Sequence, residues 1–534
     1  MAVSHRLTER GQMNKSYCVK AREKKSFMAK QIISMVGSLL CLYLIFSTFA
    51  FAQETPPNLN GFDDFVEQVM KDWKVPGVAV AIVKDGRVVY AQGYGYRDVK
   101  RGLKVTPDTL FAIGSCSKAF AGASLGILID EGKLEWDKPV RTYLPELTLY
   151  DDYATTHIRP RDLVSHQSGL PGHDAVWARS PLTRKELFDR LRYLEPSQPL
   201  HAKFQYSNLM FMASAALVEK VSGLTWEEFT RRKILDPLGM KNTNFSVNEM
   251  QKASDFSKPY REERGEIKES SFYNVDAMGP AASINSSVNE MANWMLLQLN
   301  KGKFGDKWII SEKSLLETQT PQIIVPVDSE DDERLFNSYA MGWFVTTFRG
   351  HKELHHGGSL DFGFTSVVKL LPKDRIGVVV LTNSQSRACW LIAANAQERM
   401  LGLSARPYDK EQTAKPKEAQ SEPSEDAKRK KYTQSTLALK EYTGQFEHRA
   451  YQTLTIKQEG EQLRADLHGL SGVLKHYHYD IFQVVEGELK GVKITFLMNG
   501  AGEIDRASIP LEPSVKEIIF TRRKDNGRES TSKE

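Results

Sequence analysis

The apolar and polar positions along the chain change period several times, and each change predicts an element. Residues 78–83 and 87–90 are β-rich runs separated by Asp85-Gly86, a dipeptide that favours the positive φ angles of a tight hairpin. Residues 109–113 read as a strand-like segment that meets Gly114-Ser115. From there to Asp130 the chain is mostly Ala, Gly, Leu and Ile with few charges, which predicts a central buried helix whose small side chains allow close packing. Helical spacing dominates 162–299, clearest over 209–221, 225–234 and 288–299. Strand patterns return at 339–346, 353–356, 365–371 and 377–381, and 390–401 reads as a closing helix. Strands at both ends with helices between them predict an α+β fold: one antiparallel sheet joined from both termini and flanked by a helical region.

Beyond residue 403 the pattern changes. Residues 404–435 are Lys, Glu, Pro, Gln and Ser with almost no large aliphatics, too few to repay the entropy of ordering, and read as a linker. Residues 436–523 alternate in short runs, at 454–456, 463–467, 481–485, 492–497 and 517–521, which predicts a small all-β, barrel-like domain; 524–534 is a polar tail.

At the other end, residues 1–30 carry eight Lys/Arg against two acids and lead into an uncharged stretch, 31–51, with Ala50-Phe51-Ala52 placing small residues where a signal peptidase needs them. A signal peptide over 1–52 is the reading, with a start at Met28 the more conventional one; an uncleaved anchor competes, because about 20 apolar residues can span a bilayer. Either way the main domain, 53–403, is expected to be exported, periplasmic or extracellular, with membrane contact only through an uncleaved leader. The leader also accounts for the formal charge of +5 on 534 residues. The remainder is close to neutral, so no electrostatic footprint for nucleic acid is left. Cys18 and Cys41 fall in the leader, and Cys116 and Cys389 alone do not make a disulfide framework.

Three Ser-x-x-Lys pairs occur: Ser115 with Lys118, Ser366 with Lys369, and Ser530 with Lys533. On a helix positions i and i+3 share a face, whereas on a strand they point to opposite faces. Ser366 lies in a predicted strand and Ser530 in the tail, so only Ser115 sets a hydroxyl beside its lysine. A serine at a helix start is ordinarily a cap, but Lys118 puts a charge on the first turn of a helix that otherwise reads as buried, and a buried lysine needs a partner or a lowered pKa. Tyr206-Ser207-Asn208, before the next apolar helix, offers a phenol and an amide beyond what a capping segment needs. His356-Gly357-Gly358-Ser359 follows a strand. It is either a turn or an edge that docks an extended substrate, with the Ser359 N–H sharing an oxyanion hole with that of Ser115.

In order and approximate spacing, Ser115-Cys116-Ser117-Lys118, Tyr206-Ser207-Asn208 and His356-Gly357-Gly358 resemble the three motifs of class C β-lactamases and their carboxypeptidase, esterase and D-amino-acid peptidase relatives. Further similarity lies in 163–170 and 279–294, so that the resemblance covers roughly 58–403. It implies a five-stranded antiparallel sheet with flanking helices and a serine hydrolase without cofactor, in which Ser115 is the nucleophile, Lys118 and Tyr206 move its proton, and Asn208, His356, Gly357, Gly358 and Ser359 hold substrate and oxyanion. The 436–523 segment, with Tyr442-Thr443-Gly444-Gln445-Phe446, looks like the lipocalin-like domain attached to such hydrolases. Many β-lactamases have Lys where His356 stands, and a histidine charged only in part points to esters, amides or peptides over antibiotics.

The expected partner is a small-molecule or peptide substrate, cell-wall fragments included. A binding protein of the cell envelope that acylates slowly or not at all is the alternative, suggested by the appended domain and His356. His351 and His355 have metal-like spacing only on a helix, and a strand is predicted there with no third ligand nearby. His476 and His478 read as a structural or surface pair, and the acidic run 328–333 as a solvated loop.

Overall fold

The computed structural model describes residues 59–326, 335–404 and 429–523. The predicted leader, linker residues 405–428, the acidic run and the tail with Ser530 and Lys533 lie outside the described residues.

Helix α1 (Phe62–Asp72) precedes the hairpin of β1 (Gly77–Lys84) and β2 (Arg87–Asp98). Asp85 and Gly86 have φ of 50° and 83°, as a two-residue hairpin turn demands. β1 is apolar along its length because both of its faces are covered. Ala79, Ala81 and Val83 join the core shared with the helical region, while Val78, Val80 and Ile82 join a second core on the other face with Phe62, Val66 and Val69 of α1.

The helical side contributes α2 (Lys118–Asp130), α3 (Asn208–Ser222) and α4 (Val288–Leu299). Strands β3 (Phe344–Phe348), β4 (His351–Leu360), β5 (Phe364–Leu371) and β6 (Ile376–Thr382) then complete the sheet, and α5 (Ala388–Met400) packs beside α1. The strand order is Ile323–Ile324, Ser338–Tyr339, β3, β4, β5, β6, β1, β2, Leu103–Lys104, all antiparallel. The chain thus enters the sheet from both ends, as the pattern predicts.

Three details differ. The sheet has nine strands among the described residues, against five implied: six long ones, β1 to β6, and three two-residue strands at its edges. The strand expected over 339–346 is broken by a turn in which the Ala340 N–H donates to the Trp343 carbonyl at 2.7 Å. The strand expected to end at His356 runs on through both glycines to Leu360.

A closed eight-stranded barrel follows: β7 (Gly444–His448), β8 (Gln452–Glu459), β9 (Gln462–Leu467), β10 (Leu470–His478), β11 (Ile481–Val484), β12 (Lys493–Met498), β13 (Ile504–Ile509) and β14 (Ile518–Arg522). β7 pairs with β14 to close it. Leu454 and Ile456 are buried while Lys457 is exposed, the alternation that small barrels need. His476 and His478 lie on β10, where a register shift separates them.

Candidate active site

Three segments converge on Ser115. The first is the turn Gly114–Ser117 between the short Phe111–Ala112 strand and α2. It is a 3₁₀ turn, so Ser115 precedes the α-helix instead of standing on its first turn, which corrects the expectation from sequence. The tighter winding serves the pairing: with three residues per turn, side chains at i and i+3 eclipse, and Lys118 Nζ lies 3.0 Å from Ser115 Oγ. Gly114 takes φ of 50° to start the turn. Ser115 caps nothing. Its neighbour Ser117 turns back on the Gly114 carbonyl at 2.7 Å.

The second segment is the entry to α3. Tyr206 OH donates to Ser115 Oγ at 3.0 Å, and Asn208 Oδ1 accepts from Lys118 Nζ at 2.7 Å. The third is Asp276–Ala281, whose last carbonyl accepts from Lys118 Nζ at 2.9 Å. Arg184 pins this segment through the carbonyls of Asp276 and Ala277, at 3.0 and 3.2 Å, and is itself held by Glu219 and Glu227.

Lys118 is 0% exposed. Burial lowers its ammonium to about 7, with the Asp174 carboxylate pulling the other way. The three contacts fit an ammonium that donates all its hydrogens, and they fit the neutral amine as well. Asn208 Oδ1 and the Ala281 carbonyl can only accept, and together they use both hydrogens of an –NH₂ group, which leaves its lone pair towards Ser115. Tyr206 is the opposite case: burial raises its phenol far above the usual value, so it keeps its proton and donates it to Ser115 Oγ. The Tyr206 ring lies 4.1 Å, centroid to centroid, from His166, whose Nδ1 accepts from the Ser207 N–H at 3.0 Å. Burial, helped by Lys118, keeps His166 neutral.

Asn208 is fixed from both sides. Its Nδ2 donates to Asp174 Oδ1 at 3.3 Å, and the same oxygen accepts from Trp177 Nε1 at 2.8 Å. Because the Asp174 carboxylate only accepts, Nδ2 must face it and Oδ1 must face Lys118, so the amide has one orientation.

β4 passes beside the turn. It pairs with β5 as far as Leu360 but with β3 only through His355, so 356–360 has no β3 neighbour. A Cβ on Gly358 would sit 1.9 Å from the Ile113 carbonyl, and one on Gly114 would sit 3.0 Å from the Ser359 nitrogen, so glycine is what lets the strand approach Ser115. Ser359 is exposed there.

The His356 side chain is elsewhere: 2% exposed, with Nδ1 on the Gly357 carbonyl at 2.7 Å and Nε2 on Tyr339 OH at 2.9 Å. Burial lowers its pKa to about 3. A partly charged residue meeting the substrate is therefore replaced by a neutral ring inside the core.

The other Ser-x-x-Lys pair on described residues splits as a strand requires. Ser366 Oγ donates to the Ile113 carbonyl at 2.7 Å, while Lys369 pairs with Glu353 at 3.2 Å. Cys116 donates to the His356 carbonyl at 3.2 Å, and burial pushes its thiol up to about 12. His351 pairs with Asp374 at 2.8 Å, and no metal-binding cluster occurs among the described residues.

Residues 62–395 match the family described as "Beta-lactamase". The chain belongs to the beta-lactamase family. Residues 428–522 match a "Domain of unknown function (DUF3471)", the barrel. Among curated relatives, "Unguisins hydrolase ungD'" of Aspergillus campestris is 27% identical over 441 residues, 75% of this chain and 78% of that protein. "Protein flp" of Staphylococcus aureus is 28% identical over 333 residues, 61% of this chain and 63% of its own length. The octameric penicillin-binding protein homologue from Pyrococcus abyssi covers 87% of this chain and all of its own, with TM-score 0.58 and 23% identity. A class C beta lactamase from Rhodobacter sphaeroides covers 64% of this chain and 99% of its own, with TM-score 0.52 and 21% identity. At these identities the two structures establish the fold. Family and relatives together indicate a hydrolase.

Proposed function

We propose that this beta-lactamase-family protein is a serine hydrolase that works through an acyl-enzyme on Ser115. The observation that carries the reading is the double contact of one hydroxyl oxygen, 3.0 Å from a buried amine and 3.0 Å from a phenol. Lys118, lowered to about 7, takes the Ser115 proton as Oγ attacks a substrate carbonyl. The N–H groups of Ser115 and Ser359 stabilise the oxyanion. Tyr206, kept protonated by burial, gives its proton to the leaving group, and the resulting phenolate takes up the proton that Lys118 accepted from Ser115. A water then attacks the acyl carbon, and the same groups return Ser115 to its starting state.

The neutral, buried His356 supplies no cation to a substrate carboxylate, which favours an ester, amide or peptide carbonyl over an anionic β-lactam. The relative named "Unguisins hydrolase ungD'" supports hydrolysis. A barrel of eight sequence-adjacent strands supports a lipocalin-like reading of 436–523. The basic and apolar pattern of 1–52 supports action outside the cytoplasm.

The test is turnover of a panel of p-nitrophenyl esters, D-amino-acid amides and β-lactams by the wild type and by Ser115→Ala. The reading expects at least one ester or amide to turn over, with a loss of about 10⁴-fold or more in the variant. A stable adduct without turnover would instead indicate the slow-acylating binding protein.

A further inference from the structure

The barrel touches the sheet-and-helix region at the loop that carries Asp174. His173 precedes Asp174, is buried, and sits in the left-handed region with φ 44° and ψ 37°, a conformation that is strained for a residue with a Cβ. Barrel residues hold it there. Its backbone N–H donates to the Glu512 carboxylate at 2.9 Å. Its Nε2 faces the Glu195 carbonyl at 2.9 Å, which can only accept, so Nε2 carries the ring proton and Nδ1 accepts from Tyr451 OH at 2.6 Å. Burial keeps the ring neutral, in keeping with that tautomer. Gln452 of β8 reaches Ser180 at 2.9 Å, and Arg179 pairs with Glu488 at 3.4 Å. From Asp174 the contacts run on to Asn208 at 3.3 Å and from Asn208 to Lys118 at 2.7 Å.

We propose that the C-terminal barrel is a positioning element of the active site: Tyr451 and Glu512 hold His173 in its strained conformation, so that Asp174 orients Asn208 and Asn208 orients Lys118. The inference rests on the acyl-enzyme reading for what Lys118 does, and it gives the barrel a role in that chemistry. Tyr451 and Glu512 touch no reacting atom. They set the angle of an amide and the distance of a carboxylate. Without them the loop relaxes towards ordinary backbone angles, Asp174 withdraws, and Lys118 loses both its fixed partner and the charge that holds its pKa up.

The experiment uses the full chain with Tyr451→Phe, Glu512→Ala and the double variant, beside Lys457→Ala on the outer barrel surface as a control. Tyr451→Phe keeps the ring that packs in the core, so it guards against a variant that merely fails to fold. Two quantities are read: amide hydrogen exchange of the 172–178 peptide, and the pH profile of ester turnover. The proposal expects faster exchange in that peptide, a fall in kcat of about 10- to 100-fold in the double variant, and an acid limb moved to lower pH, since losing the Asp174 charge lowers Lys118 further. Lys457→Ala should match wild type in both. Faster exchange with unchanged kcat and acid limb overturns the proposal, because the barrel would then dock the loop without positioning the site. Unchanged exchange overturns it as well. Failure of the underlying reading has a different signature, absence of Ser115-dependent turnover in the wild type, and takes the proposal with it.

Discussion

Lys118 has two obligate acceptors, Asn208 Oδ1 and the Ala281 carbonyl, and one reversible partner, Ser115. A base must be neutral to act, and burial brings this amine to about 7. Activity should therefore rise with pH through about 7 and level off above it, and a kcat/KM profile on a neutral ester measures this limb. On the proposed mechanism Tyr206→Phe removes the donor to the leaving group, and a fall in kcat of about 10²- to 10⁴-fold is expected from steady-state kinetics. His356→Phe should behave differently. It strands the buried Tyr339 hydroxyl, costing about 1–3 kcal/mol in urea unfolding, with KM for a neutral ester unchanged.

At this scale the sequence carried Ser115, Lys118, Tyr206 and Asn208, because residue type and spacing already named hydroxyl, amine, phenol and amide. It did not carry Asp174, His166 or the Ala281 carbonyl as partners. Asp174 is one exposed acid among many, His166 lies in a segment notable only for its resemblance, and a backbone carbonyl has no residue signature. The misplacement of His356 has the same root, since its ring is held by Tyr339 and the Gly357 carbonyl, contacts with no local signature, while the backbone at Gly358 and Ser359 meets the site.

Elements were legible where both faces of a strand are buried or where apolar residues recur at helical spacing. Helix α4 falls on the expected 288–299, and β1, β5 and β6 agree to within a residue at each end. Barrel strands β7, β10 and β13 were not read. Gly444–His448 buries only Phe446, Leu470–His478 contains Gly472 and three basic side chains, and Ile504–Ile509 opens with Asp505-Arg506. A small barrel needs only alternate apolar residues on short strands, which is little signal. Gly357-Gly358 misled in the other direction, since glycines that commonly end strands here let one pass close to Ser115. Gly358→Ala tests this: with its Cβ placed 1.9 Å from the Ile113 carbonyl, the strand must shift, and turnover should drop about 10²-fold. Kinetics compared with a thermal melt separate that loss from general unfolding.

For the whole molecule, two cores on opposite faces of one sheet hold the strands that frame the site, and the helical region brings three separate segments to Lys118. The barrel contacts the 172–180 loop through Glu512, Tyr451 and Gln452, and on the inference above it adds a fourth support. The order of segments along the chain predicted a sheet closed from both termini, but the contact between barrel and loop joins residues more than 270 positions apart, and no local pattern encodes it. If Ser115 carries the chemistry it becomes acylated during turnover, which intact-mass analysis of enzyme quenched during ester hydrolysis, followed by peptide mapping, reads at the residue itself. The expectation is one acyl group per chain, on the peptide containing Ser115 and absent from Ser115→Ala. Turnover that persists in that variant, or an acyl group mapped to any other residue, contradicts it.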